Sequence, residues 1–252
     1  MTKVIRTIEE LKQFRKSVST KSVGFVPTMG ALHTGHETLL QRARNENDIV
    51  ILSIFVNPTQ FNDKNDYTNY PRTDDQDILT AERNHVDVVF MPEYSSLYPD
   101  NYTYKISETS LSLDLCGAHR PGHFDGVLSV VLKLLMITKP DRSYFGEKDF
   151  QQLQLIEGMV NAFFIDTMIV RVPTVRESSG LALSSRNKRL TPTEKEIAPL
   201  IYKTITQVKK AEEAQQILEN NGFHVEYVVD KANRRFIAAK LGHIRLIDNV
   251  QI

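Results

Sequence analysis

Cysteine is almost missing from this 252-residue chain: Cys116 stands alone. A single thiol can form neither an internal disulfide nor a multi-thiolate zinc site. Its setting, Leu113-Asp114-Leu115-Cys116-Gly117, is apolar, so it reads as a packing residue. Surplus charge is missing as well, because 31 Lys and Arg balance 31 Asp and Glu. A general nucleic-acid binder needs excess cations to neutralise phosphates, so any anion site here must be local. Long apolar runs are also lacking. The longest, 127–137, is interrupted by Ser129 and Lys133 and falls short of the ~20 residues that cross a bilayer. Glu9 and Glu10 precede any apolar run, so no signal peptide is expected and a cytoplasmic protein is.

What remains is ordinary globular material, 41% hydrophobic and 25% charged, which excludes intrinsic disorder. At roughly 150 residues per domain, the length suits one large domain with a smaller companion. Up to about residue 175, apolar runs of strand length recur at 23–26, 49–56, 86–91, 143–145 and 168–172. They are continuous rather than alternating, as in strands buried on both faces of a parallel sheet. Helical patterns lie between them: Ile8, Leu11, Phe14 and Val18; a helix opened by Thr73-Asp74-Asp75; one opened by Asp125 and stopped at Lys139-Pro140; one opened by Asp149. The expected class is therefore α/β, a Rossmann-like doubly wound parallel sheet over residues 1–175. Residues 176–252 read as a small, mildly basic α+β domain. There Thr191-Pro192-Thr193-Glu194 opens a helix running to about Asn220, and three short strands follow.

The chemistry concentrates in Pro27-Thr28-Met29-Gly30-Ala31-Leu32-His33-Thr34-Gly35-His36. A buried strand enters a glycine-containing loop and a helix begins near His36. That placement offers free N–H donors and a positive helix end to an anion. His33 and His36 then flank the anion. The HxxH spacing alone also fits two solvated histidines or a metal pair. Lys148, in Gly146-Glu147-Lys148-Asp149, supplies a compact cation at a second strand-to-helix turn, or equally a surface salt bridge. Arg186, after Leu183-Ser184-Ser185, offers a bidentate fork for phosphate, or sits in a polar linker.

His33-Thr34-Gly35-His36 resembles the HxGH signature of the nucleotidyltransferase superfamily, and the surrounding segments resemble the pantothenate synthetase family of pantoate–β-alanine ligases. These are Ser53-Ile54-Phe55-Val56-Asn57-Pro58-Thr59-Gln60-Phe61, Tyr70-Pro71-Arg72-Thr73, Arg120-Pro121-Gly122-His123-Phe124, Phe145-Gly146-Glu147-Lys148-Asp149-Phe150-Gln151-Gln152, Pro173-Thr174-Val175-Arg176-Glu177, Leu183-Ser184-Ser185-Arg186-Asn187 and Asp248-Asn249. The resemblance spans the chain, in order. It departs at Leu183, where the family more often carries methionine, a volume-conserving exchange.

The resemblance implies an ATP-dependent condensation of pantoate with β-alanine through a pantoyl adenylate, with release of AMP and pyrophosphate. It assigns ATP to Met29, Gly30, Ala31, Leu32, His33, Gly35, His36, Gly146, Glu147, Lys148, Asp149, Val175, Leu183, Ser184, Ser185 and Arg186. Within that set His33, His36, Lys148 and Arg186 are the catalytic residues. Pantoate falls to Gln60 and Gln152, and β-alanine to Gln60. Neutral amides can donate to a carboxylate without quenching it as a nucleophile. Phe61, Leu128 and Val131 are candidates for the gem-dimethyl pocket, or plain core. Mg²⁺ is expected on the phosphates, with Asp74, Asp75 and Asp77 as candidate ligands or simple helix-start acids. A homodimer is implied, with no nucleic-acid or membrane partner. Two other readings are a transferase moving AMP onto a phosphate monoester and a non-catalytic nucleotide-binding module. The first should offer extra cations where the two glutamines stand, and the second has no need of every charged signature element.

Overall fold

The computed structural model describes residues 2–252. The chain forms two compact units, one of Met1–Gly146 with Gln151–Val172, the other of Glu147–Phe150 with Pro173–Ile252.

In the first unit the order is β1 (Lys3–Ile5), α1 (Ile8–Ser17), β2 (Val23–Thr28), α2 (Thr34–Glu46), β3 (Ile49–Ile54), α3 (Lys64–Thr68), α4 (Asp74–Arg83) and β4 (Val88–Phe90). Then come α5 (Tyr94–Leu97), α6 (Cys116–His119), α7 (His123–Thr138), β5 (Arg142–Gly146), α8 (Phe150–Ala162) and β6 (Met168–Val172). The six strands form one sheet in the order β1-β4-β3-β2-β5-β6, and every pairing is parallel. Each strand must therefore be reached by a crossover, which places helices on both faces. All six residues of β3 are buried, the signature of a central parallel strand. Val26 of β2, Val89 of β4 and Tyr144 of β5 join one core with Leu39, Leu40 and Ala43 of α2. The strand order reverses between β2 and β5, so the open end of the sheet beside β2 is where a doubly wound fold binds ligands.

Three readings from sequence change here. β1 was not signalled, because three residues with two of them exposed leave little hydrophobic pattern. β6 is a strand but not a doubly covered one: it lies at the sheet edge and Met168 is 60% exposed. The helix expected from Asp125 starts at His123, where Gly122 in the left-handed region turns the chain into it.

The second unit carries α9 (Pro192–Ile197), α10 (Leu200–Gln207) and α11 (Ala211–Asn220), then β7 (Phe223–Lys231), β8 (Arg234–Leu241) and β9 (Ile244–Gln251), an antiparallel three-stranded sheet. Thr191 and Glu194 cap α9 reciprocally, as their spacing dictates. The single helix expected to run to Asn220 is broken twice. Pro199 has no N–H to continue the ladder, and Val208 turns extended at φ −91°, ψ 131°. The breaks let Ile201, Ile205, Ala214 and Leu218 face one core with Phe223, Ile237 and Leu246. An unbroken helix could not wrap a small sheet in this way.

Candidate active site

The HxGH loop emerges from β2 at the carboxyl end of the sheet. α2 begins at Thr34 rather than near His36, and His33 is its N-cap. Gly35 N–H donates to His33 Nδ1 at 3.1 Å. That bond makes Nδ1 an acceptor, so the neutral ring carries its proton on Nε2. The His33 and His36 rings lie 4.0 Å apart between centroids and 34° from parallel. Cap and first turn thus pair the two imidazoles side by side.

Beneath this loop sits Asp77, one of the three helix-start acids of α4. Asp77 is not placed to serve as a metal ligand. It is 1% exposed and accepts from Ala31 N–H and Leu32 N–H, both at 2.8 Å, and from the Thr73 hydroxyl at 3.1 Å. Both carboxylate oxygens are thereby engaged. Gly30 and Ala31 adopt positive φ, +80° and +51°, over this carboxylate. A Cβ on residue 30 would lie 2.9 Å from Asp77 Oδ2, so glycine is required for conformation and space alike. Asp74 and Asp75 remain exposed on the first turn of α4. Among the described residues no group of three or more His, Cys, Asp or Glu side chains could hold a metal ion.

Gln60 ends a 3-10 turn, Pro58–Gln60, that follows β3. Its amide is oriented by Asn57, which is 1% exposed. Asn57 Nδ2 donates to the Gly126 carbonyl at 3.2 Å and to Gln60 Oε1 at 3.0 Å. A carbonyl can only accept, so Asn57 cannot be flipped, and Gln60 must turn its NH₂ outward beside Met29 Sδ, at 3.2 Å. Tyr98 and Thr59 donate to Asn57 Oδ1, each at 3.0 Å. Burial pushes the Tyr98 phenol up to about 12, so it stays a donor. The Gln60 backbone carbonyl is held by His123 Nδ1 at 2.7 Å and Arg120 Nη2 at 3.2 Å. Gln60 therefore presents a fixed donor, suited to an anion or a carbonyl oxygen.

Of the paired glutamines on α8, Gln151 is buried and structural. It accepts from Cys116 N–H and donates to the Leu111 and Asp114 carbonyls. Gln152 is half-buried beside it in the first turn. Leu128 and Val131 are buried core, while Phe61 packs edge-on against Tyr67 and Tyr70.

The second unit holds the other expected residues. The segment around Val175 and Leu183 is a tight antiparallel turn: Leu183 N–H donates to the Val175 carbonyl, and Arg176 bridges to Ala182. Ser184 then caps a 3-10 turn, Ser185–Arg189, by accepting from Arg186 N–H. Lys148 lies in the 3-10 turn Glu147–Asp149, with Nζ 3.6 Å from Asp149 Oδ2. Asn57, Asp77, Tyr98, His123 and Asn249 were given no such part from the sequence. Several of their partners are 41 to 102 residues away, beyond the reach of any spacing rule.

A doubly wound α/β unit with a capped histidine pair at the open end of its sheet defines an enzyme of the nucleotide-handling class. Comparison narrows the class. The model of the pantoate-beta-alanine ligase family matches residues 3–251. A pantothenate synthetase of Bdellovibrio bacteriovorus is 62% identical over 252 residues, covering all of both chains. The structure of a pantoate-beta-alanine ligase from Francisella tularensis, complexed with beta-gamma ATP and beta-alanine, is 46% identical with a TM-score of 0.96. The match covers 100% of this chain and 98% of that one. A pantothenate synthetase from Thermus thermophilus is 37% identical with a TM-score of 0.90, over 99% of each chain. The chain belongs to the pantoate–β-alanine ligase family.

Proposed function

We propose that the chain joins pantoate to β-alanine in two steps at the site whose histidine loop and glutamine turn are described above. The observation that carries this reading is the His33 ring, whose Nδ1 accepts from Gly35 N–H and which lies against the tilted His36 ring, in the unit that also presents the Gln60 donor. In the first step an oxygen of the pantoate carboxylate attacks the α-phosphorus of ATP. The bond to the bridging oxygen of pyrophosphate breaks and pantoyl adenylate forms. Two anions must approach each other, so the enzyme's main tasks are positioning and neutralising charge. His33 and His36 donate to the α-phosphate as charge builds there. Gln60 and Gln152 hold the carboxylate without pairing it to a cation. Lys148 and Arg186 take the β- and γ-phosphates, and Mg²⁺ comes with the nucleotide. In the second step the β-alanine amine attacks the acyl carbon beside Gln60, loses a proton, and AMP leaves. The remaining ATP contacts go to Met29, Gly30, Ala31, Leu32, Gly35, Gly146, Glu147, Asp149, Val175, Leu183, Ser184 and Ser185. The same reading makes the first unit the ATP- and pantoate-binding domain and the second a lid, in a cytoplasmic homodimer.

Pyrophosphate exchange tests the order of events. Labelled pyrophosphate should enter ATP when pantoate is present and β-alanine is absent. Exchange that requires the amine, or that a nucleoside monophosphate supports in place of pantoate, would overturn the two-step scheme.

A further inference from the structure

Residues Glu147–Phe150 group with the second unit, although Gly146 and Gln151 on either side group with the first. One side chain ties this turn to β9. Asn249 of β9, 4% exposed, donates from Nδ2 to the Glu147 carbonyl at 3.0 Å and to the Lys148 carbonyl at 2.9 Å. Both partners only accept, so the amide has one possible orientation. Its Oδ1 accepts from Arg234, whose guanidinium lies 3.9 Å over the Phe150 ring. The preceding residue, Asp248, is equally buried and receives both arms of Arg176, at 2.6 and 2.8 Å. Arg176 also donates to the Gly180 carbonyl and stacks 3.9 Å over Tyr202. It thereby anchors the turn that leads through Leu183 to Arg186. Two adjacent residues of one strand thus fasten both cation-bearing segments.

We propose that Asn249 is a positioning residue for Lys148, and that Asp248-Asn249 is the junction that fixes Lys148 relative to Arg186. The inference rests on the assignment of those two cations to the ATP phosphates. A phosphate clamp works only if its charges keep their separation, and a lysine on an unanchored turn spends binding energy on ordering that turn. The bidentate Arg176–Asp248 pair gives the junction one geometry.

A double-mutant cycle of Asn249→Ala and Lys148→Met decides the matter, read by the KM for ATP, the KM for β-alanine and the melting temperature. Asn249→Ala should raise the KM for ATP about tenfold, the scale of two lost hydrogen bonds to carbonyls, with the KM for β-alanine unchanged. On the Lys148→Met background the same change should move the KM for ATP by less than about twofold, because the group it positions is gone. Equal effects on both backgrounds would mean that Asn249 serves stability alone and would overturn the proposal. A Lys148→Met enzyme with a wild-type KM for ATP and kcat would bring down the phosphate assignment itself, which is a separate failure. Asn249→Asp keeps the volume but sets an acceptor against two carbonyls, and should reproduce the alanine pattern. A wild-type KM for ATP in that variant would also overturn the proposal.

Discussion

Asp77 Oδ2 lies 2.8 Å from the amide nitrogen of Ala31, a residue held at a positive φ of +51°. A carboxylate from α4 thus stabilises a backbone conformation that an alanine seldom takes up, two residues before His33. Its other oxygen receives Leu32 N–H, so the loop's shape depends on an acidic residue 45 positions further along the chain.

Asp77→Asn should therefore loosen the nucleotide loop. One amide donor is left facing an NH₂ group, a loss on the scale of about 1–3 kcal/mol. The KM for ATP should rise about tenfold or more, and the melting temperature should fall. Raising Mg²⁺ should not restore activity. Recovery at high Mg²⁺ would instead assign Asp77 to the metal.

His36→Ala removes one ring of the histidine pair while leaving the His33 cap intact. Adenylate formation should fall by about 10²–10³, as when one donor to a developing charge is deleted. Melting should be near wild type. Single-turnover rates of pyrophosphate release check this, and a loss below about fivefold would remove His36 from the reaction.

Gly126→Ala tests the proposed pantoate contact of Gln60. A Cβ there would sit 2.4 Å from the Thr59 carbonyl oxygen and 2.7 Å from Gln60 N, both backbone atoms that cannot swing aside. The turn carrying Gln60 must shift, and with it the carbonyl that fixes Asn57. The KM for pantoate should rise while the KM for ATP holds. Equal increases in both would point to general unfolding of α7.

Acid should weaken the Asp230–Arg235 pair. Arg235 is 2% exposed and reaches Asp230 with two bonds, 2.6 and 2.7 Å. The hydrogen bond from Arg235 holds the Asp230 carboxyl below its ordinary value of 3.8. A depressed folded-state value adds stability above the ordinary value, and that stability is lost as pH falls through the lowered one. Asp230→Asn should melt below wild type at pH 7, and the gap should close as the pH falls below 3.8 and through the lowered value. A gap that widens in acid would contradict the assignment.

The order of strands and helices, the parallel class and the HxGH loop were legible because each is local. Buried parallel strands write continuous apolar runs, and capping boxes write fixed spacings. Signals failed where context outweighed pattern, as in the short edge strand β1, the exposed edge of β6 and the broken helix before Asn220.

The sequence by itself determined which side chains are present: two histidines three apart after a strand, glutamines at two turns, and the cations Lys148 and Arg186. Tertiary structure alone decided how those groups are held. His33 takes its tautomer from the Gly35 amide once the helix exists. Gln60 takes its polarity from Asn57 and the carbonyl of Gly126, and Asp77 becomes a backbone brace. A hydrogen bond's direction depends on which acceptor or donor the fold brings opposite, and that partner is set by packing across the sheet rather than by neighbours in the chain.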